Sequence, residues 1–559
     1  MPLKFQTSDR HYQEWSVVDT LTMQKKECSV DPIIEKLFNQ DIFSLNEKCT
    51  ILHSMVRQMK CIQGVLVLEN NKTYGKWKRD KFLYQCIPDD RRLPVFLIPY
   101  KVKLSFGKKA LNKYITFSYK NWENKHPYGT ILQIIGNVDN LSSFYEYQLY
   151  CKSLYASIQQ FNKATMTALR KKSSDSYIQT IAETYQLNDR SDWNVYSIDP
   201  PGSKDYDDAW SIREEGDKML LSIYIANVSF WLDIMNLWDS FSERISTIYL
   251  PDRKRPMLPT ILSDALCSLQ ERNKRFAFTL DVLFDPKTGV IQDTTYSNTC
   301  VKLKRNFRYE TEELKQCEDY QRLFKYVKIL NKQYPYQRKI KDSHDVIAYM
   351  MILMNYISGK KMLTFKAGIF RSVQLKESIH IPEKVPTNIS RFIKTWNSSG
   401  GKYVTFDKYH SHDLLQLDAY IHITSPIRRL PDLLNIIKIQ ILIGLLPSAT
   451  PMEQFYEAWL HRLPYINMTM RSIRKVQNDC TLLHYCVTKR ENENEKGYIF
   501  DKIVRNDGLF QYMVYFPEIK MVNRFTTRHD YENYSRHEFR IFVFMDEDRL
   551  KQKLRIDLI

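Results

Sequence analysis

Four aspartates, Asp199, Asp205, Asp207 and Asp208, fall within ten consecutive residues of the run Ser197-Ile198-Asp199-Pro200-Pro201-Gly202-Ser203-Lys204-Asp205-Tyr206-Asp207-Asp208-Ala209-Trp210. Two prolines and a glycine stop a helix from passing through this stretch and make it a loop. β-like runs lead in over residues 194–198 and out over 209–212. Like charges at this spacing repel, so folding them together is costly without a counter-charge. One reading is a solvated acidic turn; the other is a divalent-cation site. Oxygen donors with no His or Cys nearby suit Mg²⁺ or Mn²⁺ rather than zinc. The alternation and terminal Glu of a calcium loop are absent. Clusters of this kind recur in phosphodiester cleavage, where two metals about 3.5–4 Å apart activate water and hold the leaving oxygen.

The rest of the chain sets the context. Its 559 residues are enough for about two to four domains. Lysine and arginine number 82 against 64 acidic residues, a formal net charge of +18. That excess favours a polyanion, a nucleic acid or an acidic membrane surface, although a merely soluble basic protein would share it. Tyrosine (36), phenylalanine (28) and tryptophan (9) are abundant, and single-stranded bases stack on such rings. The ten cysteines contain no C-x-x-C pair, the nearest two being Cys480 and Cys486, which argues against a zinc ribbon. Met1-Pro2-Leu3-Lys4-Phe5 is no signal-peptide core. The longest apolar run, Ile436 to Leu446, holds Lys438 and Gln440 and is too short to span a bilayer. An intracellular setting, cytoplasmic or nuclear, with reduced thiols and no membrane partner is expected.

Periodicity divides the chain. Residues 1–58 give no clear fold. Short β runs at 64–68, 81–86, 93–98, 114–119 and 130–135 then predict a small barrel. Lys101, Lys103, Lys108, Lys109 and Lys113 make its middle basic. A helical connector ends near residue 175. A long mixed region, 176–489, follows. In it Val346, Met350, Leu353 and Ile357 keep a helical stripe, and 432–446 is apolar almost all round, as a buried helix would be. After a charged linker at 490–497, Tyr498–Val504, Asn506-Asp507-Gly508 and Leu509–Phe516 read as a hairpin opening a second small barrel at 490–559.

The run Asp-Pro-Pro-Gly-x-x-Asp-x-Asp-Asp-Ala resembles the signature of the RNase II (RNB) family, in wording closest to the catalytic subunit of the eukaryotic exosome and its relatives. Further blocks follow in the family's order: Ile223 to Ser229, Tyr249-Leu250-Pro251, Pro256 to Pro259, Leu262 to Leu269, and Tyr420-Ile421-His422-Ile423-Thr424-Ser425-Pro426-Ile427-Arg428-Arg429. Asp89 to Pro94, Pro127-Tyr128-Gly129 and Gly136-Asn137-Val138 resemble the second cold-shock-type barrel. The first such barrel is missing or reduced by this reading, as is the exosome subunit's extra nuclease domain. The resemblance implies an α+β chain whose RNB catalytic domain (176–489) is flanked by OB-fold and cold-shock-type barrels (59–175 with its connector, and 490–559). It also implies a 3′→5′ exoribonuclease that uses Mg²⁺ or Mn²⁺, cuts single-stranded RNA to nucleoside 5′-monophosphates, and works with an RNA-decay complex.

By the same resemblance Asp199, Asp205, Asp207 and Asp208 hold two metals, Asp207 being the most activity-critical. Arg428 grips the scissile phosphate, with a fork that lysine lacks. Tyr249 and Tyr309 meet bases, and Gln477 matches an RNA-contacting position. Read singly, each tyrosine would more often be core packing. Several positions depart from the family. Asn227 replaces an aspartate, Ala348-Tyr349 stand where paired glutamates are usual, Ile436-Ile437 replace His-Arg, and Ala367 takes the place of a base-clamping phenylalanine. A catalytically silent RNA-binding protein on the same fold is the alternative, and a DNA nuclease a third reading. On either RNA reading, affinity for single-stranded RNA is expected to fall steeply, by about tenfold or more, between low and moderate salt. A filter-binding titration over salt that came out flat would contradict a nucleic-acid role for the positive charge.

Overall fold

The computed structural model describes residues 2–46, 48–78, 80–102, 110–375, 381–397, 401–409, 411–488 and 494–559. Lys103, Lys108 and Lys109 of the basic stretch, and residues 490–493 of the charged linker, lie outside the described residues. Two compact units emerge. One holds Met1–Tyr155, Leu250–Asp252 and Lys475–Ile559; the other holds Ala156–Tyr249 and Arg253–Arg474.

In the first unit, the N-terminal stretch that carried no clear pattern is a five-stranded antiparallel sheet. Pro2–Thr7 is its centre, between Trp15–Asp19 and Ile42–Leu45. Its Phe5, Phe38 and Phe43 share one core with Ile62, Phe96 and Phe117 of the next element, Phe38 and Phe96 stacking at 5.9 Å. That element is a closed barrel of Ile62–Leu66, Phe82–Pro88, Phe96–Tyr100, Lys113–Asn121 and Tyr128–Asn137. Its strand spacing is the one legible in sequence. Near the C-terminus, Glu495–Val504 and Phe510–Phe516 pair as a hairpin around Gly508, whose φ of +78° a glycine adopts without strain. Five antiparallel strands there surround a core of Ile499, Val514, Phe525 and Phe539. The Lys551 ammonium meets Asp89 of the barrel at 2.6 Å.

The second unit is organised by a seven-stranded sheet. In spatial order its strands are Asn188–Arg190, Ile291–Lys302, Lys274–Phe284, Lys218–Ala226, Asp208–Glu215, Tyr196–Asp199 and Arg305–Arg308. Both faces are covered, so alternate residues feed different cores. Ala209 and Tyr224 join one; Trp210, Ile212, Ile223 and Ile225 join the other. The helix Ser343–Thr364 buries Val346, Met350 and Leu353 against the second face. Helix Leu430–Leu442 sends Leu433, Leu434 and Ile437 to one core and Ile436 and Ile439 to the other, which is why its sequence is apolar all round. It starts two residues before Asp432, with Pro431 in its first turn, where no N–H partner is lost. No helix among the described residues is long and apolar enough to cross a membrane.

The departures from the family pattern now have surroundings. Tyr349, Ile436 and Ile437 are fully buried core residues. Asn227 is 1% exposed; its amide donates to Asn298 Oδ1 at 3.1 Å and to Gln440 Oε1 at 3.0 Å, and its own Oδ1 accepts from Ser229. Both partners present acceptor oxygens, so this pocket is built for an amide. Restoring the family residue by Asn227→Asp is expected to cost about 2–3 kcal/mol of stability at neutral pH, because two donors are lost and a charge is buried against acceptors. Urea unfolding checks this, and an unchanged midpoint would show that the amide network contributes nothing.

Candidate active site

The aspartate loop is shaped by its own residues and pinned by a distant serine. Ser203 N–H donates to Pro200 C=O at 3.2 Å across a turn whose third residue, Gly202, has φ +81°. Pro201 followed by Gly202 is the pair a type II turn needs. Beyond the turn, the fully buried Ser268 hydroxyl donates to Lys204 C=O at 2.7 Å and accepts from Tyr206 N–H at 3.0 Å. Leu269 N–H adds a bond to Tyr206 C=O. The block Leu262 to Leu269 therefore holds the loop in place.

The strands then aim the carboxylates. Asp199 ends the strand Tyr196–Asp199, Asp208 begins the strand Asp208–Glu215, and Asp207 precedes it. Asp199, Asp205, Asp207, Asp208, Tyr249, Tyr309 and Arg428 all line one cavity of about 960 Å³. Gln477 is on the helix Leu463–Thr488, in the part that belongs to the first unit. The lining also includes Lys254, Asp264 and His422, which the sequence reading did not single out as site residues. Asp264 and His422 sat inside motif blocks; Lys254 sat in a basic run that gave no sign of its partners.

Each carboxylate has a distinct environment. Asp207 is 2% exposed; one oxygen accepts from Ile427 N–H at 2.9 Å and the other from Arg428 Nε at 2.9 Å. Arg428 Nη2 donates to Ser425 at 3.1 Å, while the side chain stays 45% exposed. Among the described residues Nη1 makes no hydrogen bond. Asp205 lies 2.8 Å from the Lys254 ammonium, which also meets Asp264 at 2.9 Å, and the Tyr249 hydroxyl donates to Asp205 at 3.4 Å. The pairing Tyr249↔Lys254 across a two-residue ladder brings both side chains to one carboxylate. Asp199 Oδ2 is buried with no hydrogen-bond partner. Tyr309 stacks on His344 at 3.8 Å with planes 10° apart, so one face of its ring is covered. Asp205 and Asp207 are thus engaged by cations of the chain. Among the described residues no three His, Cys, Asp or Glu side chains form a ready metal cage.

Burial pushes Asp199, Asp207 and Asp208 up to about 7, against the pull of Arg428; for Asp207 the Ile427 N–H also opposes the rise. The folded chain therefore holds protons that the unfolded chain releases near pH 4. Their contribution to stability is full below that pH and is lost as pH rises through about 7. Without divalent cations, resistance to urea is expected to fall between about pH 4 and pH 7, and Asp208→Asn to flatten that fall. A midpoint that rises over the window in the parent protein would contradict this.

Comparison with known proteins places this geometry. Residues 187–322 match the RNB domain, and residues 83–146 match the Dis3-like cold-shock domain 2. Ribonuclease R of Chlamydia muridarum is 26% identical over 194 residues, 34% of this chain and 27% of that protein. The chain thus aligns with less than a third of that relative's length. A structure of Mycoplasma genitalium RNase R in complex with ribose-methylated single-stranded RNA superposes with a TM-score of 0.69 at 15% identity, covering all of both chains. Yeast Ssd1, described as a pseudonuclease, superposes with a TM-score of 0.57 at 14% identity, over 86% of this chain and 67% of that one. The chain is similar to bacterial RNase R and, at 32% identity over 124 residues, also to a probable exosome complex exonuclease of Caenorhabditis elegans, so a special closeness to the exosome subunit is not the best-supported reading. The chain is an α+β protein built on an RNB core, with an OB-fold barrel of cold-shock type.

Proposed function

We propose that the chain is a metal-dependent 3′→5′ exoribonuclease that hydrolyses single-stranded RNA to nucleoside 5′-monophosphates. The observation that carries this is the gathering of four aspartates and Arg428 around one cavity on an RNB core. The donors are carboxylate oxygens, and the buried, unpartnered Asp199 Oδ2 is an atom that a cation would satisfy. Asp199, Asp205, Asp207 and Asp208 would hold Mg²⁺ or Mn²⁺, which supplies an activated water and a charge against the phosphate oxygens. Arg428, held on Asp207 by Nε and on Ser425 by Nη2, offers Nη1 to a phosphate oxygen. Tyr249 stacks on a base near the 3′ end, the open face of Tyr309 meets the substrate deeper along its path, and Gln477 contacts the RNA. An RNA-decay complex in the cytoplasm or nucleus is the setting this activity fits.

A second reading, a silent RNA-binding protein, is favoured by one observation: Lys254 already bridges Asp205 and Asp264. Incubating the protein with 5′-labelled RNA and Mg²⁺ separates the two. A ladder shortening from the 3′ end is expected, and intact RNA that is nevertheless bound would mean the silent reading. Asp207→Asn should slow shortening by about a thousandfold with RNA affinity nearly unchanged, as loss of a preorganised charged contact acts mainly on the transition state.

Arg428→Lys is expected to lower kcat about ten- to a hundredfold, more than it raises KM. Lysine keeps one charge but cannot hold Asp207, Ser425 and a phosphate at once. If kcat stayed constant while the melting temperature dropped, Arg428 would be an anchor for the helix that follows it and nothing more.

A further inference from the structure

A second cavity, about 1400 Å³ in volume, lies beside the carboxylate cavity in the same unit. Ala348, Ile352, Tyr420 and His422 line both, so the two spaces share a wall. The two cavities differ in charge. The second is lined by Arg338, Lys339, Lys341 and Arg391, all exposed, and none of them forms an ion pair among the described residues. Two carboxylates on the same lining are turned to the backbone. Asp342 Oδ1 accepts from Asp345 N–H at 3.0 Å as a helix cap, and Asp345 Oδ2 accepts from Lys341 N–H at 2.8 Å. Among the described residues four cations thus face the space while the two acids have partners of their own, which makes it a place for an anion.

We propose that this cationic cavity binds the phosphate of the released nucleoside 5′-monophosphate and forms its way out. The proposal rests on the exonuclease reading given above. A strand cut at its 3′ end still fills the path by which it entered, so the product needs another exit unless the whole RNA lets go. The shared wall fits such a passage. Ala348 stands where the family resemblance places a glutamate, and alanine removes both bulk and negative charge from the boundary a departing anion would cross.

The test uses the full chain and adenosine 5′-monophosphate as probe, by calorimetry without divalent cations. Arg338→Glu combined with Arg391→Glu should weaken that binding by roughly tenfold or more, the scale of one lost charge-assisted hydrogen bond. Binding of adenosine, which lacks the phosphate, should change little. The same variant should turn over RNA more slowly in the steady state while cleaving the first nucleotide at the parent rate in a single turnover. The milder Arg338→Gln with Arg391→Gln should fall between, which guards against a folding defect in the charge-reversed protein. An unchanged affinity for the monophosphate, or an equal loss in single-turnover and steady-state rates, would overturn the proposal. A parent protein that never cleaves RNA would sink the exonuclease reading, while the calorimetry would still decide whether the cavity takes a phosphate.

Discussion

The site depends on how one carboxylate, Asp207, is kept inside the protein. An aspartate with 2% of its surface exposed is unstable as an anion unless both oxygens are met. Here Ile427 N–H meets one and Arg428 Nε the other, from a turn 220 residues further along the chain. That turn is itself secured. Ser425 N–H donates to the buried Asp432 at 2.8 Å, Arg429 pairs with the same oxygen, and Thr247 N–H and the Ser246 hydroxyl both donate to Arg428 C=O. The aspartate loop and the Ser-Pro-Ile-Arg turn are therefore two halves of one device. Removing charge from the turn leaves Asp207 buried and unmatched, whereas Arg428, 45% exposed, keeps contact with water when Asp207 is lost.

How much of this was legible depended on distance along the chain. The loop was readable because Pro200, Pro201, Gly202 and the four aspartates are adjacent, and turn chemistry acts over a few residues. The helix at Leu430–Leu442 was readable because residues 432–446 are apolar almost all round, as a helix buried on every side must be. Which groups meet was not. Nothing local marks Lys254 as the partner of Asp205 and Asp264, or Ser268 as the pin of Lys204 and Tyr206, since those pairings arise when the sheet and the loops around it come together. His344 covering Tyr309 is of the same kind. The N-terminal sheet was missed for another reason. Its strands are short, one being only Lys25–Lys26, and their apolar residues are completed by Phe96 and Phe117 of the barrel, so the stretch taken alone shows only half of a core.

The departures from the family pattern run in one direction. Asn227, Ala348, Ile436 and Ile437 each stand where the resemblance expects an ionisable side chain, and each is neutral here. Asn227 and Gln440 meet through an amide hydrogen bond, one turn along the helix from Ile436 and Ile437. A buried acid and a buried base are costly singly and tolerable together, so losing both at once is the stable way to lose either. At Asn227 the neutral residue keeps the shape of the family's aspartate, and Ile436 and Ile437 fill the core with apolar side chains.

A balance of those charges shows where an added cation would act. Arg428 answers Asp207, and Lys254 lies between Asp205 and Asp264. Asp199 and Asp208 are left without a cation of their own, Asp199 with a buried oxygen that has no partner. Burial raises both carboxyls to about 7, with the charge of Asp199 raising Asp208 and those of Asp207 and Asp205 raising Asp199, so at neutral pH a proton is the cheapest counter-charge within reach. A divalent ion held by the same two groups must displace those protons. Its affinity is then tied to pH by the residues that hold it, rising as they deprotonate. The two cations built into the cavity sharpen this link, because they leave Asp199 and Asp208 as the pair where the electrostatic need is greatest.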